Sequence, residues 1–260
     1  MPHDLAPTIS PELKQVLKRL KLSPLLVTLP ERIVLGRQRK TDVADWLLLV
    51  LGDEVQRRDA LSAQLRANKA GLLPDARLER WDPTAKVTFD RAVLDELATL
   101  RFVDAHRHAL VLGPVGVGKT FLAHALGHVA CRRGLQVLAL QADKMLRELR
   151  AARLDNSHAQ QMRRFCTVDL LIVDDFALGP MDATGSDDFH ELVSERVGKA
   201  SMIVTSNRDP SEWLPLMADP LRAQAALDRL VNAAYDLVIE GESYRRRQKP
   251  RIEQGKASDS

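Results

Sequence analysis

The chain has 260 residues, 45% of them hydrophobic and 4% aromatic, with a formal net charge of +3. This is an ordinary soluble composition, long enough for one large domain or a domain plus a smaller module, and its mild basicity permits nucleic acid as a partner without requiring it. No signal peptide or membrane-spanning apolar run is evident, and Cys131 and Cys166 lack metal-ligand spacing, so we expect a cytoplasmic protein with reduced thiols and no membrane partner.

The N-terminal part of the sequence has a helical, charge-rich pattern. Ser10 followed by Pro11 is typical of a helix start, and residues 42–68 can form one long helix. Basic residues surround Trp46 on this part of the chain, namely Arg37, Arg39, Lys40, Arg57 and Arg58. Such a surface suits docking to a protein partner or to DNA, and a self-contained helical cap explains the pattern equally well.

Turn-forming residues separate this region from the rest of the chain. Gly71–Pro74 ends the helical pattern, and the irregular stretch Trp81–Lys86 follows it. We therefore predict a helical, partner-binding N-terminal domain over residues 1–75 and a linker over residues 76–90.

The remaining sequence alternates between apolar strands and amphipathic helices. Helices are predicted over residues 90–102, from 121, over 143–165 (one or two), 187–197 and 220–233, and strands over 109–112, 136–140, 168–173, 201–205 and 237–240. This alternation predicts an α/β domain over residues 91–245, with a parallel sheet wrapped by helices on both faces. A basic, polar tail over residues 246–260 follows, and we expect disorder at its end.

The stretch Gly113–Thr120 fits G-x-x-x-x-G-K-[ST] at every fixed position and follows an apolar run. In such a phosphate-binding loop, or P-loop, backbone N–H groups point at phosphate oxygens, Lys119 reaches the β- and γ-phosphates, and the Thr120 hydroxyl ligates Mg²⁺. The alternative is a simple Gly-rich turn. The predicted ATP-binding residues are Gly113, Pro114, Val115, Gly116, Val117, Gly118, Lys119, Thr120 and Phe121.

A second motif is the apolar run Leu170–Val173, which ends in Asp174 and Asp175. It resembles a Walker B motif, in which Asp174 holds Mg²⁺ and Asp175 orients or deprotonates the attacking water. Related ATPases mostly have Glu at the second position, so the rate of hydrolysis stays open. A solvated turn at a strand end is the alternative.

A third apolar strand ends in Ser206 and Asn207. Asn207 can place an amide near the γ-phosphate or the water, and on its own the pair is more typical of a turn. The order Lys119, Asp174, Asn207 resembles that of additional-strand P-loop ATPases, in which the third strand lies between the other two.

Together these motifs resemble the AAA+ ATPases of the DnaA and DnaC clade, most closely the IstB-like helper proteins of insertion-sequence transposition. The residues that carry the resemblance are Gly113–Thr120, Leu171–Phe176, Thr205–Arg208 with Glu212 and Trp213, Leu227–Leu230, and Gly241–Arg245. The resemblance covers most of the chain. It implies a five-stranded AAA+ core with a small all-α N-terminal domain, and ATP and Mg²⁺ as cofactors.

The resemblance also assigns two arginines to the nucleotide. Arg229 matches the arginine finger, which reaches the γ-phosphate of a neighbouring subunit and therefore implies a homo-oligomer. Arg245 matches the second sensor, although Arg246 or Arg247 can take that place. An exposed ion pair with Asp228, and a basic tail on solvent, are the respective alternatives.

In this clade a pair of helices after the second strand grips nucleic acid, here the segment 143–165. Its basic residues recur every third position and form a slowly drifting stripe on a helix, namely Lys144, Arg147, Arg150 and Arg153. Such a stripe can follow DNA phosphates without reading bases. A solvated face with ion pairs to Glu148 and Asp155 is the alternative.

We therefore predict an ATP-dependent transposition helper that assembles on DNA, bends or encircles it and recruits or stimulates a partner transposase, with hydrolysis driving disassembly. A DnaC-like helicase loader and a nucleotide-binding DNA scaffold with negligible turnover are the alternatives. A monomeric P-loop kinase would need acceptor-binding residues and a lid.

Overall fold

The computed structural model describes residues 8–82 and 84–244. The chain divides into two compact units, Met1–Gln64 and Leu65–Ser260, called here the first and second unit. Helices of the first unit are α1 (Pro11–Arg19), α2 (Leu25–Arg39) and α3 (Val43–Lys69), whose last residues belong to the second unit. No helix in the described ranges combines the length and apolarity needed to cross a membrane.

The first unit is all α-helical in its described part and has its own small core. Ser10 caps α1 by accepting a hydrogen bond from Leu13 N at 3.2 Å, as its sequence predicts. Arg32 of α2 pairs with Asp53 of α3 at 2.7 Å. The buried apolar residues are Ile9, Leu17, Leu25, Leu29 and Val50.

The second unit is built on a five-stranded parallel sheet. Its strands are β2 (His108–Leu112), β3 (Val137–Gln141), β4 (Leu170–Asp174), β5 (Ser201–Ser206) and β6 (Ala234–Val238), in the spatial order β3-β4-β5-β2-β6. β5 therefore lies between β2 and β4, which confirms the predicted strand order. A small antiparallel pair joins β1 (Val87–Thr88) to β7 (Glu240–Gly241).

Helices cover the sheet of the second unit. They are α4 (Arg91–Ala98), α5 (Arg101–Asp104), α6 (Lys119–Arg132), α7 (Ala142–Leu154), α8 (His158–Thr167), α9 (Ala183–Arg196) and α10 (Pro220–Asn232), with short 3₁₀ turns at Leu78–Arg80, Pro210–Glu212 and Leu214–Leu216. Two apolar clusters divide the side chains of β2, β4 and β5 between them. The predicted α/β class with a parallel five-stranded sheet is confirmed.

Several predicted elements differ from the observed ones, and α9 begins at Ala183 instead of Asp187. The single helix predicted over residues 90–102 is broken into α4 and α5 because the buried Leu100 takes a left-handed conformation with φ 60°. The last strand begins at Ala234 instead of Leu237. Tyr235 and Asp236 are exposed on this edge strand, so its sequence lacks the apolar pattern of a buried strand.

The boundary between the units lies at Gln64, earlier than the predicted domain boundary at residue 75. Residues after Gln64 pack with the second unit because Ala67, Ala70 and Leu72 belong to one of its apolar clusters. Ala70 also accepts a hydrogen bond from Ala139 N of β3 at 2.8 Å. The predicted tail, residues 246–260, lies outside the described residues.

Candidate functional site

The P-loop connects the end of β2 to the start of α6, as predicted. Gly113, Gly116 and Gly118 all have positive φ, which side-chain-bearing residues adopt only with strain. Lys119 is 6% exposed, and its Nζ donates hydrogen bonds to the carbonyl oxygens of Gly113 at 2.7 Å and Pro114 at 2.8 Å. The lysine side chain thus runs along the inside of the loop, where a phosphate group would meet it.

Three oxygen-bearing side chains meet beside the P-loop. Thr120 Oγ1 donates to Asp174 Oδ1 at 3.0 Å, and Thr205 Oγ1 donates to the same oxygen at 2.5 Å. Asp174 is only 5% exposed. Hydroxyl and carboxylate oxygens are the donors that hard cations prefer, so Thr120 and Asp174 fit Mg²⁺.

Asp175 follows β4 in a left-handed conformation with φ 55°, which Asp tolerates better than most residues. Its N–H donates to Thr205 Oγ1 at 2.9 Å, so Thr205 fixes both carboxylate-bearing residues at the end of the strand. The role of Thr205 was not predicted, since a threonine inside an apolar strand gives no local signal of function.

Asn207 is exposed and directly follows β5. The preceding residue, Ser206, accepts a hydrogen bond at its carbonyl from Gly113 N at 3.2 Å, which ties the end of β5 to the start of the P-loop. The structure thus brings the neighbourhoods of Lys119, Asp174 and Asn207 to one edge of the sheet. The catalytic roles given to these residues and to Asp175 stay predictions.

The segment after β6 packs onto the P-loop. Tyr244 N donates to Gly116 O at 2.8 Å, and Ile239 N donates to Leu112 O at 2.8 Å. Any Cβ at Gly116 would overlap the Ser243 side chain. The sequence identifies Gly241–Arg245 only as a family signature, and it does not predict the contact of this segment with the P-loop. Arg245 itself lies outside the described residues.

Aromatic side chains form a second unpredicted contact with the P-loop. The edge of the Trp81 ring lies so close to Gly118 that a Cβ there would be 2.9 Å from it. Trp81 also packs against Phe89 and Phe121, with ring centroids 5.6 Å apart in both pairs. The sequence showed Trp81 only as the start of an irregular connector, because its partners are distant in the chain.

Two histidines hold the segment that follows α3 against α6. Leu73 N donates to His124 Nδ1 at 3.0 Å, and His128 Nε2 donates to Leu73 O at 2.9 Å. Burial is the main cause that lowers the pKa of both histidines. They therefore stay neutral near pH 7, as an acceptor at His124 requires.

Arg229 is an exposed residue of α10, whose buried residues include Ala226, Leu227 and Leu230. Within the described residues Arg229 has no ion-pair partner, so the alternative of a pair with Asp228 is not observed. An exposed, unpaired arginine is available to another molecule. Its assignment as an arginine finger stays a prediction.

The four basic residues of α7 have different surroundings. Arg150 donates to Asp182 at 2.6 Å, and Arg153 pairs with Asp188, which is 1% exposed. Lys144 lies 3.9 Å from Glu148, and Arg147 is exposed. All four side chains of the predicted stripe are exposed, and they differ in the acids with which they pair. Whether these residues bind DNA stays a prediction.

Comparisons with known proteins agree with this site. A family model described as IstB-like ATP binding protein matches residues 15–252. A Mycobacterium tuberculosis protein described as an ATP-binding protein in an insertion sequence is 38% identical over 242 residues, covering 92% of this chain and 96% of the relative.

Two solved structures share part of the fold. The replication initiator DnaA, bound to AMPPCP and single-stranded DNA, matches with a TM-score of 0.54 at 22% identity, over 66% of this chain and only 51% of the DnaA chain. The DnaC helicase loader matches with a TM-score of 0.53 at 16% identity, over 64% of this chain and 97% of the loader. At these identities the likeness establishes the fold alone.

Proposed function

The chain belongs to the IstB-like ATP-binding protein family and is an AAA+ ATPase of insertion sequences, and from this premise we propose that it is an ATP-dependent transposition helper. In this proposal the protein assembles as an oligomer on DNA, bends or encircles the target, and recruits or stimulates the partner transposase. Hydrolysis of ATP then drives disassembly.

One observation carries the choice of a transposition helper over a helicase loader. The family model and the M. tuberculosis relative extend across both compact units of the chain, whereas the likeness to DnaC covers 64% of it. A loader and a transposition helper can share an ATPase core, so the remaining helical unit is the part that distinguishes them.

The geometry of the site supports its ATPase roles. The P-loop would hold the triphosphate, and Thr120 and Asp174 would hold Mg²⁺, whose charge offsets that of the phosphates. Asp175 would accept the proton of the attacking water or orient it, while Asn207 would contact the γ-phosphate or the water. The Thr205 hydroxyl holds both aspartates in position through its hydrogen bonds to Asp174 Oδ1 and Asp175 N.

Exposed basic side chains would make the contacts with a neighbouring subunit and with DNA. Arg229 would contact the nucleotide of a neighbouring subunit, which makes ATP a bridge between subunits. Basic residues of α7 would contact DNA phosphates without reading sequence, so binding should weaken steeply as salt concentration rises. The first unit, whose exposed helical surface includes Leu48 at 73% exposure, would dock the transposase.

The test is assembly of the full chain on linear duplex DNA with ATP, ADP or a non-hydrolysable analogue, followed by sedimentation velocity. We expect a DNA-bound oligomer with ATP and its loss with ADP. Lys119→Ala should abolish assembly. A chain that stays monomeric with ATP and DNA, or a Lys119→Ala variant that assembles normally, would contradict the proposal.

Recruitment is tested separately with a transposase encoded beside this gene, where the gene has such a neighbour. Strand transfer into target DNA should rise when the helper and ATP are added together. Binding of a replicative helicase instead of the transposase would favour a loader.

A further inference from the structure

Helices α7 and α8 form a basic hairpin that is attached to α9 by buried and capping acids. We infer that Asp188 is a positioning residue that fixes this hairpin, and that Arg153 and Arg150 hold the hairpin in place while Lys144 and Arg147 contact DNA. The DNA part of this inference rests on the proposed function. The attachment of the hairpin does not.

Asp188 is the centre of the attachment. It lies on α9 with 1% of its side chain exposed, and its Oδ1 accepts hydrogen bonds from Arg153 of α7 and from His158 Nε2 of α8, the latter at 2.8 Å. The carboxylate of Glu191, one helical turn further along α9, lies within 4.8 Å of the Asp188 and His158 ligand atoms. One buried acid therefore joins both helices of the hairpin to α9.

A second acid adds a contact near the start of α9. Asp182 caps this helix by accepting from Gly185 N at 2.8 Å, and it also accepts from Arg150 at 2.6 Å. One carboxylate oxygen of Asp182 therefore caps α9, and the other binds Arg150 of α7. Arg150 and Arg153, three residues apart on α7, point to the same neighbouring helix.

The hairpin is also tied internally. Glu148 of α7 accepts hydrogen bonds from Gln161 at 2.7 Å and Arg164 at 3.2 Å of α8. Met145 and Leu149 of α7 and Phe165 of α8 are completely buried beneath these contacts. Because α7 and α8 are joined by these contacts, we expect them to move together relative to α9.

The burial of Asp188 decides which arginines are available to DNA. If Arg153 left Asp188 for a phosphate, the buried carboxylate would keep only the His158 contact at Oδ1, since Oδ2 has no hydrogen-bond partner among the described residues; this loss is strongly unfavourable. Arg147 is exposed and carries no such penalty. The phosphate-contacting surface is therefore narrower than the stripe that the sequence predicts.

The first experiment is a double-mutant cycle of Asp188→Asn and Arg153→Ala on the full chain, with amide hydrogen exchange of α7 and α8 measured without DNA. Each single variant should raise exchange in both helices, and the double variant should resemble Asp188→Asn, because Arg153 has no carboxylate left to pair with once Asp188 is replaced. Asp228→Asn, the same charge change at an exposed position on α10, should leave the exchange unchanged. Additive effects, or unchanged exchange in Arg153→Ala, would overturn the attachment.

The second experiment measures affinity for duplex DNA with ATP across a salt series. Asp188→Asn should weaken binding about tenfold although it removes a negative charge, whereas Arg147→Ala should lower the slope of log K against log salt by about one. If Arg153 contacts DNA instead, Asp188→Asn releases it and binding tightens, which would overturn the inference. If the unmodified chain binds no DNA, the proposed function fails while the exchange experiment still tests the attachment.

Discussion

Thr205 shows how one residue inside an apolar strand can organise a polar site. Its hydroxyl donates to Asp174 Oδ1 and accepts from Asp175 N, while its backbone carbonyl accepts from Phe176 N at 2.8 Å. The side chain is completely buried. β5 thus sets the position of the two aspartates that follow β4.

Thr205→Val should therefore impair catalysis without altering the shape of the strand. The valine leaves Asp175 N and one bond to Asp174 unmade, which should lower stability by about 1–3 kcal/mol. Because residues that hydrogen-bond to a metal ligand orient that ligand, as Thr205 orients Asp174, the Mg²⁺ dependence of hydrolysis should shift by about 10- to 100-fold. Thr205→Ser keeps the hydroxyl and is the control. Equal Mg²⁺ dependence in the valine and serine variants would contradict this role.

His108 makes stability depend on pH. It is completely buried in β2, its Nδ1 accepts from Met202 N at 3.1 Å, and burial, helped by the charge of Arg196, lowers its pKa from 6.5 to about 4. Between pH 6.5 and pH 4, His108 is protonated in the unfolded chain and neutral in the folded one. Its contribution to the free energy of unfolding is therefore complete above pH 6.5 and falls as the pH drops toward 4.

Between pH 7.5 and pH 5 this residue should remove about 2 kcal/mol of the free energy of unfolding. The measurement is chemical unfolding across this range, where most carboxylates stay ionised. His108→Asn keeps an acceptor for Met202 N and cannot be protonated, so its loss of stability should be smaller. His124 and His128 add pH dependence of the same sign and remain in both proteins. Identical pH profiles would exclude His108 as a source.

At this scale the sequence predicts the residues that belong to contiguous motifs. Lys119, Thr120 and Asp174 could be found because the chemistry of phosphate and Mg²⁺ demands them at fixed spacing. Thr205, Trp81 and Ser243 could not, because each acts through a partner that only the fold brings near. Asp175 in place of Glu has a structural correlate, the left-handed backbone at that position.

The P-loop and the segment after β6 pack against each other and are joined by a backbone hydrogen bond. Residues 239–244 run along the loop, with Glu242 N donating to Lys86 O at 3.1 Å and Tyr244 N to Gly116 O. β7 pairs with β1 in the same region. A change in the P-loop should therefore also displace residues near the C-terminus of the second unit.

Gly116→Ala tests this coupling. The added Cβ overlaps Ser243 and is strained at φ 86°, so we expect at least about tenfold weaker binding of a fluorescent ATP analogue and faster hydrogen exchange at residues 239–244. Gly179→Ala is the control, because no heavy atom lies within 4 Å of a Cβ placed there. If Gly116→Ala weakens binding but leaves exchange at residues 239–244 unchanged, the two elements are not coupled.

Element boundaries were predictable where a local signal exists. The start of α1 at its Ser-Pro cap and the apolar strands β2, β4 and β5 match their patterns, since buried strands need apolar side chains on both faces. β6 began earlier than predicted because an edge strand can expose polar residues. The break at Leu100 depends on packing, which leaves no mark in a run of helix-forming residues.

At the scale of the whole molecule, ATP connects subunits only if the site is shared. The described chain supplies the P-loop, the two predicted Mg²⁺ ligands and Asp175 from one subunit, and Arg229 of α10 is exposed, without an ion-pair partner among the described residues. An arginine in this position is accessible to the nucleotide site of a neighbouring subunit.

Mixing two inactive variants tests whether Arg229 acts on a neighbour. Arg229→Ala leaves an intact P-loop and Asp174, while Asp174→Ala leaves an intact Arg229. In a randomly mixed oligomer at equal amounts, about a quarter of the interfaces join an intact nucleotide side to an intact arginine, so about a quarter of the unmodified hydrolysis rate should return.

The control is a mixture of Asp175→Ala and Asp174→Ala, in which both changes affect the nucleotide side, so no interface is complete and activity should stay lost. Hydrolysis is measured with DNA present, after sedimentation has established that the mixed variants co-assemble. If Arg229→Ala and Asp174→Ala co-assemble and remain inactive, Arg229 acts within its own subunit or not at all. If activity returns, Arg229 of one subunit completes the nucleotide site of the next. ATP hydrolysis then requires the oligomer, and ATP binding is coupled to oligomerisation.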